Sequence, residues 1–145
     1  MLLLSNVASI SCSSHAFGFE AGLPSSWTTG ATNYPWTPHS GSTTSTGTGP
    51  SSAHGGSWYM YTEADPPRVE GDVFDLSYDG SDCAGGQAAT VSFWYSIYSY
   101  YGWGMGRLRL KDADGVERWS LSGNQGTAWH EAMVDLPTAG FTFEG

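Results

Sequence analysis

The chain has 145 residues, a length typical of one domain with a single hydrophobic core. Charged residues make up only 13%, while 20 Gly, seven Trp, eight Tyr and six Phe indicate a folded, β-rich chain rather than a coiled coil or a disordered one. The chain has 14 acids against 5 bases and a net charge of −9. Nucleic acid and anionic membrane surfaces are therefore poor partners, because binding to either requires many Lys and Arg side chains. No apolar run approaches the roughly 20 residues that span a bilayer, so we expect no direct membrane insertion of this segment.

The first residues form a short apolar stretch, Met-Leu-Leu-Leu at residues 1–4, with no cationic region before it. This pattern predicts an N-terminal extension, or a weak or clipped signal segment, over residues 1–15. The folded domain is then expected over residues 16–145. The two cysteines, Cys12 and Cys83, are compatible with one disulfide and equally with two buried free thiols.

The next segments alternate between turn-rich stretches and short strands. Residues 37–57 consist almost entirely of Ser, Thr, Gly, Pro and His, which predicts a long loop within one domain. Strands are predicted at residues 58–62 and 73–76, the second ended by a turn at 78–81. Residues 90–98 show the clearest period of two, with an apolar face made of Val91, Phe93, Tyr95 and Ile97.

The last third of the chain predicts a hairpin and two more strands. Residues 107–111 alternate strictly, with Arg107, Arg109 and Lys111 on one face, and an Asp-Ala-Asp-Gly turn returns the chain over residues 116–121. Further strands are expected over residues 128–136 and from 141 onward. This spacing favours an all-β fold, an antiparallel β-sandwich of jelly-roll type with under about 10% helix. The expected core contains Phe19, Trp27, Tyr59, Tyr61, Phe93, Tyr95, Leu108, Leu110, Trp119 and Val134.

A series of short motifs resembles the MAM domain, a family of extracellular adhesion and receptor modules. No single motif is specific, but they occur in the family's order from residue 17 to the end of the chain. They are Phe-Gly-Phe-Glu at 17–20, Thr-Gly-Pro at 48–50, Gly-Ser-Trp-Tyr-Met-Tyr-Thr-Glu-Ala at 56–64, Phe-Trp-Tyr-Ser-Ile-Tyr at 93–98, Gly-Arg-Leu-Arg-Leu at 106–110, Gln-Gly at 125–126 before Trp129, and Phe-Glu-Gly at 143–145.

The departures from the family pattern concern cysteines, a cation site and the end of the chain. The cysteine that the family places beside the opening Phe-Glu is absent, so a pairing between Cys12 and Cys83 is not inherited from the resemblance. Ala53 stands where the family has an Asp, which leaves Glu20 with too few charged ligands for tight Ca²⁺ binding, and no metal site is expected. The family's final segment does not follow Gly145, which predicts a truncated domain.

Enzymatic activity is not expected, and we assign no catalytic residue and no cofactor. Glu63 and Asp65 have the i, i+2 spacing of paired glycosidase carboxylates, but Glu63 belongs to the family motif and a structural role at the strand end is favoured. The histidines His15, His39, His54 and His130 do not occur at metal-ligand spacings.

The resemblance implies a non-catalytic recognition or adhesion module, located in an extracellular protein or in the ectodomain of a membrane protein. Its expected partners are other extracellular proteins or a second copy, and no nucleic acid. The alternative is a glycan-binding or glycan-cleaving jelly roll similar to lectins or glucanases. The predicted binding residues are Tyr98, Tyr100, Tyr101 and Trp103, because loops on a rigid sandwich concentrate recognition residues. A competing interpretation makes this segment a lid on the sandwich and places the interface on the basic hairpin face.

Overall fold

The computed structural model describes residues 1–9, 15–83 and 88–145, and these residues form a β-sandwich without helices. Its strands are β1 Leu2–Ser9, β2 His15–Phe17, β3 Trp27–Thr29, β4 Tyr34–Pro35, β5 Thr37–Ser40, β6 Trp58–Tyr61, β7 Phe74–Tyr78, β8 Ala89–Ile97, β9 Arg107–Asp112, β10 Glu117–Ser122, β11 His130–Leu136 and β12 Phe141–Glu144. Among the described residues, no helix is long and apolar enough to span a membrane.

The strands form two six-stranded sheets. The first sheet has the order β11-β8-β1-β6-β5, with β2 paired to β1, and all its pairings are antiparallel. The second sheet has the order β10-β9-β12-β7-β3, and β4 runs parallel to β7 at its margin. The predicted all-β sandwich is therefore confirmed.

The inner faces of the two sheets meet in an aromatic core. Phe93 of β8 packs edge-to-face against Phe143 of β12, with ring centroids 4.8 Å apart, and against Trp119 of β10 at 5.2 Å. Trp27 of β3 packs in the same way against Phe141 at 5.6 Å. Nine of the ten predicted core residues are buried and the tenth, Trp119, is partly buried against them.

Two long strands confirm the period-two prediction. The apolar side chains of β8 at residues 91, 93, 95 and 97 are buried, as the alternation predicts. In β9, Leu108 and Leu110 point into the core and are fully buried, while Arg107, Arg109 and Lys111 lie on the outer face. The hairpin from β9 to β10 forms where the Asp-Ala-Asp-Gly turn predicts it.

The structure gives the N-terminal residues a central place in the fold. Strand β1 lies in the middle of the first sheet, paired on one side with β8 and on the other with β6. Leu3 and Leu4 are completely buried, because β1 has neighbours at both edges and is covered on both faces. The sequence predicted an extension or signal segment over residues 1–15; its residues 2–9 form this strand, and residues 10–14 lie outside the described part of the chain.

The outer face of the first sheet is covered by the turn-rich segment of residues 41–57, here called the covering loop. Tyr61 pairs with Leu3 in register, and Leu3 pairs with Ser96, which places Tyr61 on the face opposite the inner residue Tyr95. The hydroxyl of Tyr59 donates to the carbonyl of Gly41 at 3.0 Å. Tyr59 and Tyr61 are thus buried under the covering loop rather than between the sheets. The predicted loop over residues 37–57 begins with strand β5, which pairs with β6.

Candidate functional site

The predicted binding segment lies in the connection between β8 and β9 and projects three aromatic side chains into solvent. Tyr100 and Tyr101 occupy a turn that Gly102 closes with a φ of 68°, a conformation that glycine adopts at little cost. The exposed fractions are 73% for Tyr100, 57% for Tyr101 and 55% for Trp103. These three residues are here called the aromatic patch. Tyr98 precedes them and is half-buried.

The rings of the aromatic patch support one another. The rings of Tyr101 and Trp103 are stacked, with centroids 4.9 Å apart and planes 28° apart. Tyr100 contacts Tyr101 edge-on at 5.3 Å. Such pairs are favourable by about 0.5–1.5 kcal/mol beyond area burial, so the three rings stabilise one another's positions.

The backbone of the patch is fixed to the covering loop. The amide of Tyr100 donates to the carbonyl of Gly47 at 2.8 Å, and the amide of Gly49 donates to the carbonyl of Tyr98 at 3.3 Å. Between them, Thr48 and Ser99 form a β-bridge, and both are buried. This two-stranded contact holds the backbone of the patch against the covering loop.

Two further contacts close the base of the loop. Asn124 donates from its side-chain amide to the carbonyl of Ser99 at 2.8 Å, and the amide of Trp103 donates to the hydroxyl of Ser99 at 3.2 Å. Ser99 is therefore the anchor of the segment, although its sequence context gave no indication of that role.

Gly47 is needed directly beneath Tyr101. Its φ is 78°, and a Cβ at this position would lie 2.9 Å from Cε2 of Tyr101. Any larger residue would both strain the backbone and displace the tyrosine ring. The position of the aromatic patch thus depends on a glycine more than 50 residues earlier in the chain.

A cleft of about 150 Å³ opens beside Trp103. Asp65, Ser45 and Met105 lie in its wall together with Trp103. The carboxylate of Asp65 accepts a hydrogen bond of 2.8 Å from the hydroxyl of Ser45. The cleft therefore combines an indole surface with a carboxylate, a pairing that sequence analysis missed because these residues are far apart in the chain.

Glu63 and Asp65, the possible glycosidase pair, both bind the covering loop. Glu63 accepts hydrogen bonds from the hydroxyls of Thr44 at 3.0 Å and Tyr61 at 3.4 Å. It also accepts the backbone amide of Asp65 at 3.3 Å. These contacts give the two acids a role in attaching the loop to the end of β6.

Glu20, the expected cation ligand of the family pattern, is instead engaged by backbone amides. One of its carboxylate oxygens accepts from the amide of Ser57 at 2.8 Å and from that of Trp58 at 2.9 Å. Across residues 1–9, 15–83 and 88–145, no group of three His, Cys, Asp or Glu side chains is arranged to hold a metal ion. In this structure Glu20 fixes the start of β6.

The histidine side chains that the structure describes contact aromatic rings. His54 stacks on Trp94, His39 packs edge-on against Tyr59 and Tyr61, and His130 stacks on Tyr95. The side chain of His15 lies outside the described part. Cys83 is buried and disulfide-bonded, and the other cysteine of the sequence, Cys12, lies outside the described residues.

The basic hairpin face carries internally paired charges. Arg107 contacts Glu117 at 2.6 Å, and both Arg109 and Lys111 contact Glu144, at 3.2 and 2.8 Å. Since these cations already have carboxylate partners, the face offers a protein partner less free positive charge than the sequence suggested.

The sequence of the chain is similar to those of a known protein family. Residues 18–144 match the family described as MAM domain, meprin/A5/mu. The chain is 36% identical over 149 aligned residues to MAM domain-containing glycosylphosphatidylinositol anchor protein 2 of Mus musculus and of Homo sapiens, covering 88% of this chain and 16% of each relative. It is 35% identical over 94 residues to the corresponding protein 1 of Gallus gallus, covering 61% of this chain and 10% of that relative.

Proposed function

The chain is a MAM domain, and from this premise we propose that it is a non-catalytic recognition module which binds other extracellular proteins through its aromatic patch. Family membership supports the assignment to extracellular adhesion proteins. The observation that carries the proposed binding surface is the exposure of Tyr100, Tyr101 and Trp103 side by side on a hydrogen-bonded support. The relatives are glycosylphosphatidylinositol anchor proteins by name, and we extend to this domain a location on the extracellular side of a membrane.

The aromatic patch has the composition of protein-binding surfaces. Tyr and Trp are enriched at such surfaces because they bury a large area with few rotatable bonds. A contiguous apolar patch on the surface of a soluble domain is a feature of interaction sites. The core is already filled by the inner rings of both sheets, so the patch has no interior position to occupy.

A binding assay on an array of extracellular ectodomains tests the proposal. The domain is displayed as a dimeric fusion, and the double variant Tyr100→Ala/Tyr101→Ala is compared with the unaltered chain. We expect the variant to lose about 2 kcal/mol or more of affinity for the ectodomain that the unaltered domain binds, roughly a thirtyfold change. The melting temperature should be nearly unchanged, since both side chains are exposed.

Met133→Ala provides the matched control, because Met133 is an exposed apolar residue on β11, away from the patch. It should bind as well as the unaltered chain. Unchanged affinity of the double variant, or a melting temperature lower by many degrees, would show that the aromatic loop is a structural lid.

Glycan binding is the second candidate function, and the stacked pair of Tyr101 and Trp103 is the observation that favours it. Glycan cleavage has less support, because Glu63 and Asp65 are hydrogen-bonded to the covering loop. Incubation with polysaccharide substrates tests it directly. Hydrolysis that Glu63→Gln and Asp65→Asn abolish would identify a glycosidase and contradict the recognition proposal.

A further inference from the structure

The chemistry of the cleft beside Trp103 specifies the proposed partner more closely. Building on the proposed function, we propose that the aromatic patch and this cleft bind an arginine side chain of a basic partner protein. Asp65 and Trp103 both line this cleft. A guanidinium group can stack on a flat π surface and can donate hydrogen bonds to a carboxylate.

The Lys and Arg side chains of the domain already contact acidic or aromatic side chains of the same chain. In the described residues, Asp112 pairs with Arg118 and Glu117 pairs with Arg107. Glu144 pairs with both Arg109 and Lys111. The remaining base, Arg68, lies 3.6 Å above the ring of Tyr34. The other acids in this described part, Asp65 among them, have no Lys or Arg at ion-pair distance, so the surface of a domain with net charge −9 attracts a basic partner.

Asp65 is exposed at the surface. One of its oxygens accepts the hydroxyl of Ser45, a neutral donor that leaves the negative charge in place.

Arginine fits this arrangement better than lysine. A guanidinium is planar, is less strongly hydrated than an ammonium, and stacks on aromatic rings while donating hydrogen bonds to a carboxylate in its own plane. Trp103 and Tyr101 provide the stacked surface, and Asp65 provides the acceptor.

The same charges argue against a second copy as the partner. Another copy would bring the same excess of acids, and its cations are paired or covered as they are here. Contact between two such surfaces brings like charges together, which is unfavourable. We therefore infer a partner of a different sequence, rich in arginine.

Two capped octapeptides serve as probes, one alternating arginine with glycine and the other lysine with glycine. Each is titrated into the isotopically labelled domain and followed by nuclear magnetic resonance. We expect shifts at the indole N–H of Trp103 and at the amides of Asp65 and Tyr101. The arginine peptide should bind about fivefold more tightly than the lysine peptide.

Single variants locate the binding site. Asp65→Asn keeps an oxygen for the Ser45 hydroxyl but removes the charge, and Trp103→Ala removes the stacking surface. Each should weaken binding of the arginine peptide about fivefold. Glu131→Gln changes the net charge by the same amount as Asp65→Asn on the exposed edge strand β11, and it should leave the affinity within about twofold. Thermal melting verifies that each variant is folded.

Three results would overturn the arginine proposal. Equal binding of the two peptides, or an equal effect of Glu131→Gln and Asp65→Asn, would show that net charge alone attracts them. Shifts of the same residues by a neutral chitin oligosaccharide, with none from the arginine peptide, would identify a glycan site. The ectodomain assay with Tyr100→Ala/Tyr101→Ala reports separately on the proposed function, so binding there without a response to arginine would leave recognition by the patch intact.

Discussion

The imidazole of His54 lies flat on the indole of Trp94, with ring centroids 3.5 Å apart and planes 9° apart. His54 belongs to the covering loop and Trp94 to the outer face of β8, which lies between β11 and β1 in the first sheet. This stack fixes the loop over Tyr59 and Tyr61, whose rings also contact His39. The loop in turn holds Gly47 beneath the aromatic patch, so the stack supports the candidate binding surface from a distance.

Replacing His54 by Ala should loosen the covering loop. Loss of the stacked ring removes about 0.5–1.5 kcal/mol of stability, and limited proteolysis should cut the loop faster. Ser51→Ala, in an exposed position of the same loop, is the control and should change neither quantity. Equal proteolysis rates for His54→Ala and the unaltered chain would contradict a supporting role for the stack.

Phe93→Ala should be strongly destabilising. Phe93 is fully buried and contacts rings of both β12 and β10, so truncation leaves a cavity in the centre of the sandwich. A loss of roughly 3–5 kcal/mol is typical of such a change and should appear as a lower midpoint in urea unfolding. Val116→Ala, in an exposed turn, should have little effect. A small loss for Phe93→Ala would indicate that the sheets can close over the gap.

Asp112 should make the domain sensitive to acid. Burial acts to raise the pKa of its carboxyl, but hydrogen bonds from the amide of Val116, the guanidinium of Arg118 and the amide of Asp114 outweigh burial and lower the pKa below the ordinary 3.8. Because the pKa of Asp112 is lower in the folded state than in the unfolded state, its ionised carboxylate stabilises the fold above pH 3.8. This stabilisation is lost as the pH falls through the pKa of the folded state.

The test compares melting temperatures measured at neutral pH with those measured below pH 3.8, the ordinary pKa of the carboxyl. Asp112→Asn should melt lower at neutral pH, and its melting temperature should fall less on acidification than that of the unaltered chain. Asp114→Asn changes an exposed acid of the same turn and should keep the full acid response. Identical pH dependence of Asp112→Asn and the unaltered chain would refute the assignment.

Tyr59 should contribute to a loss of stability at alkaline pH. Burial, followed by the neighbouring Tyr61, raises the pKa of its phenol from 10.0 to about 12. Because the pKa of Tyr59 is higher in the folded state than in the unfolded state, the protonated phenol stabilises the fold fully below pH 10.0. This stabilisation is lost as the pH rises through about 12.

Tyr59→Phe removes both this titration and the hydrogen bond to Gly41. It should cost about 1 kcal/mol at neutral pH and should flatten the fall in stability on the alkaline side. Tyr100→Phe alters an exposed phenol and is the matched control. An alkaline stability curve that Tyr59→Phe does not change would contradict this role.

Local patterns in the sequence were sufficient to predict the sandwich and its core. The period of two in β8 and β9 places Phe93 and Leu110 inside because side chains of a strand alternate between its faces. The hairpin turn after β9 needs residues that tolerate positive φ, and Gly115 has a φ of 79°. The order of the motifs was enough to identify the family.

Only the tertiary structure decided where β1 lies and what surrounds the aromatic patch. An apolar run such as residues 2–4 has no periodicity that distinguishes a signal segment from a central strand, whereas backbone pairing with β6 and β8 shows the position of β1 in the first sheet. Likewise, Gly47, Asp65 and Trp103 are distant in sequence and meet because loops from both ends of the first sheet's strands pack together. Such contacts depend on the joint packing of many segments, whereas strand alternation depends on neighbouring residues alone.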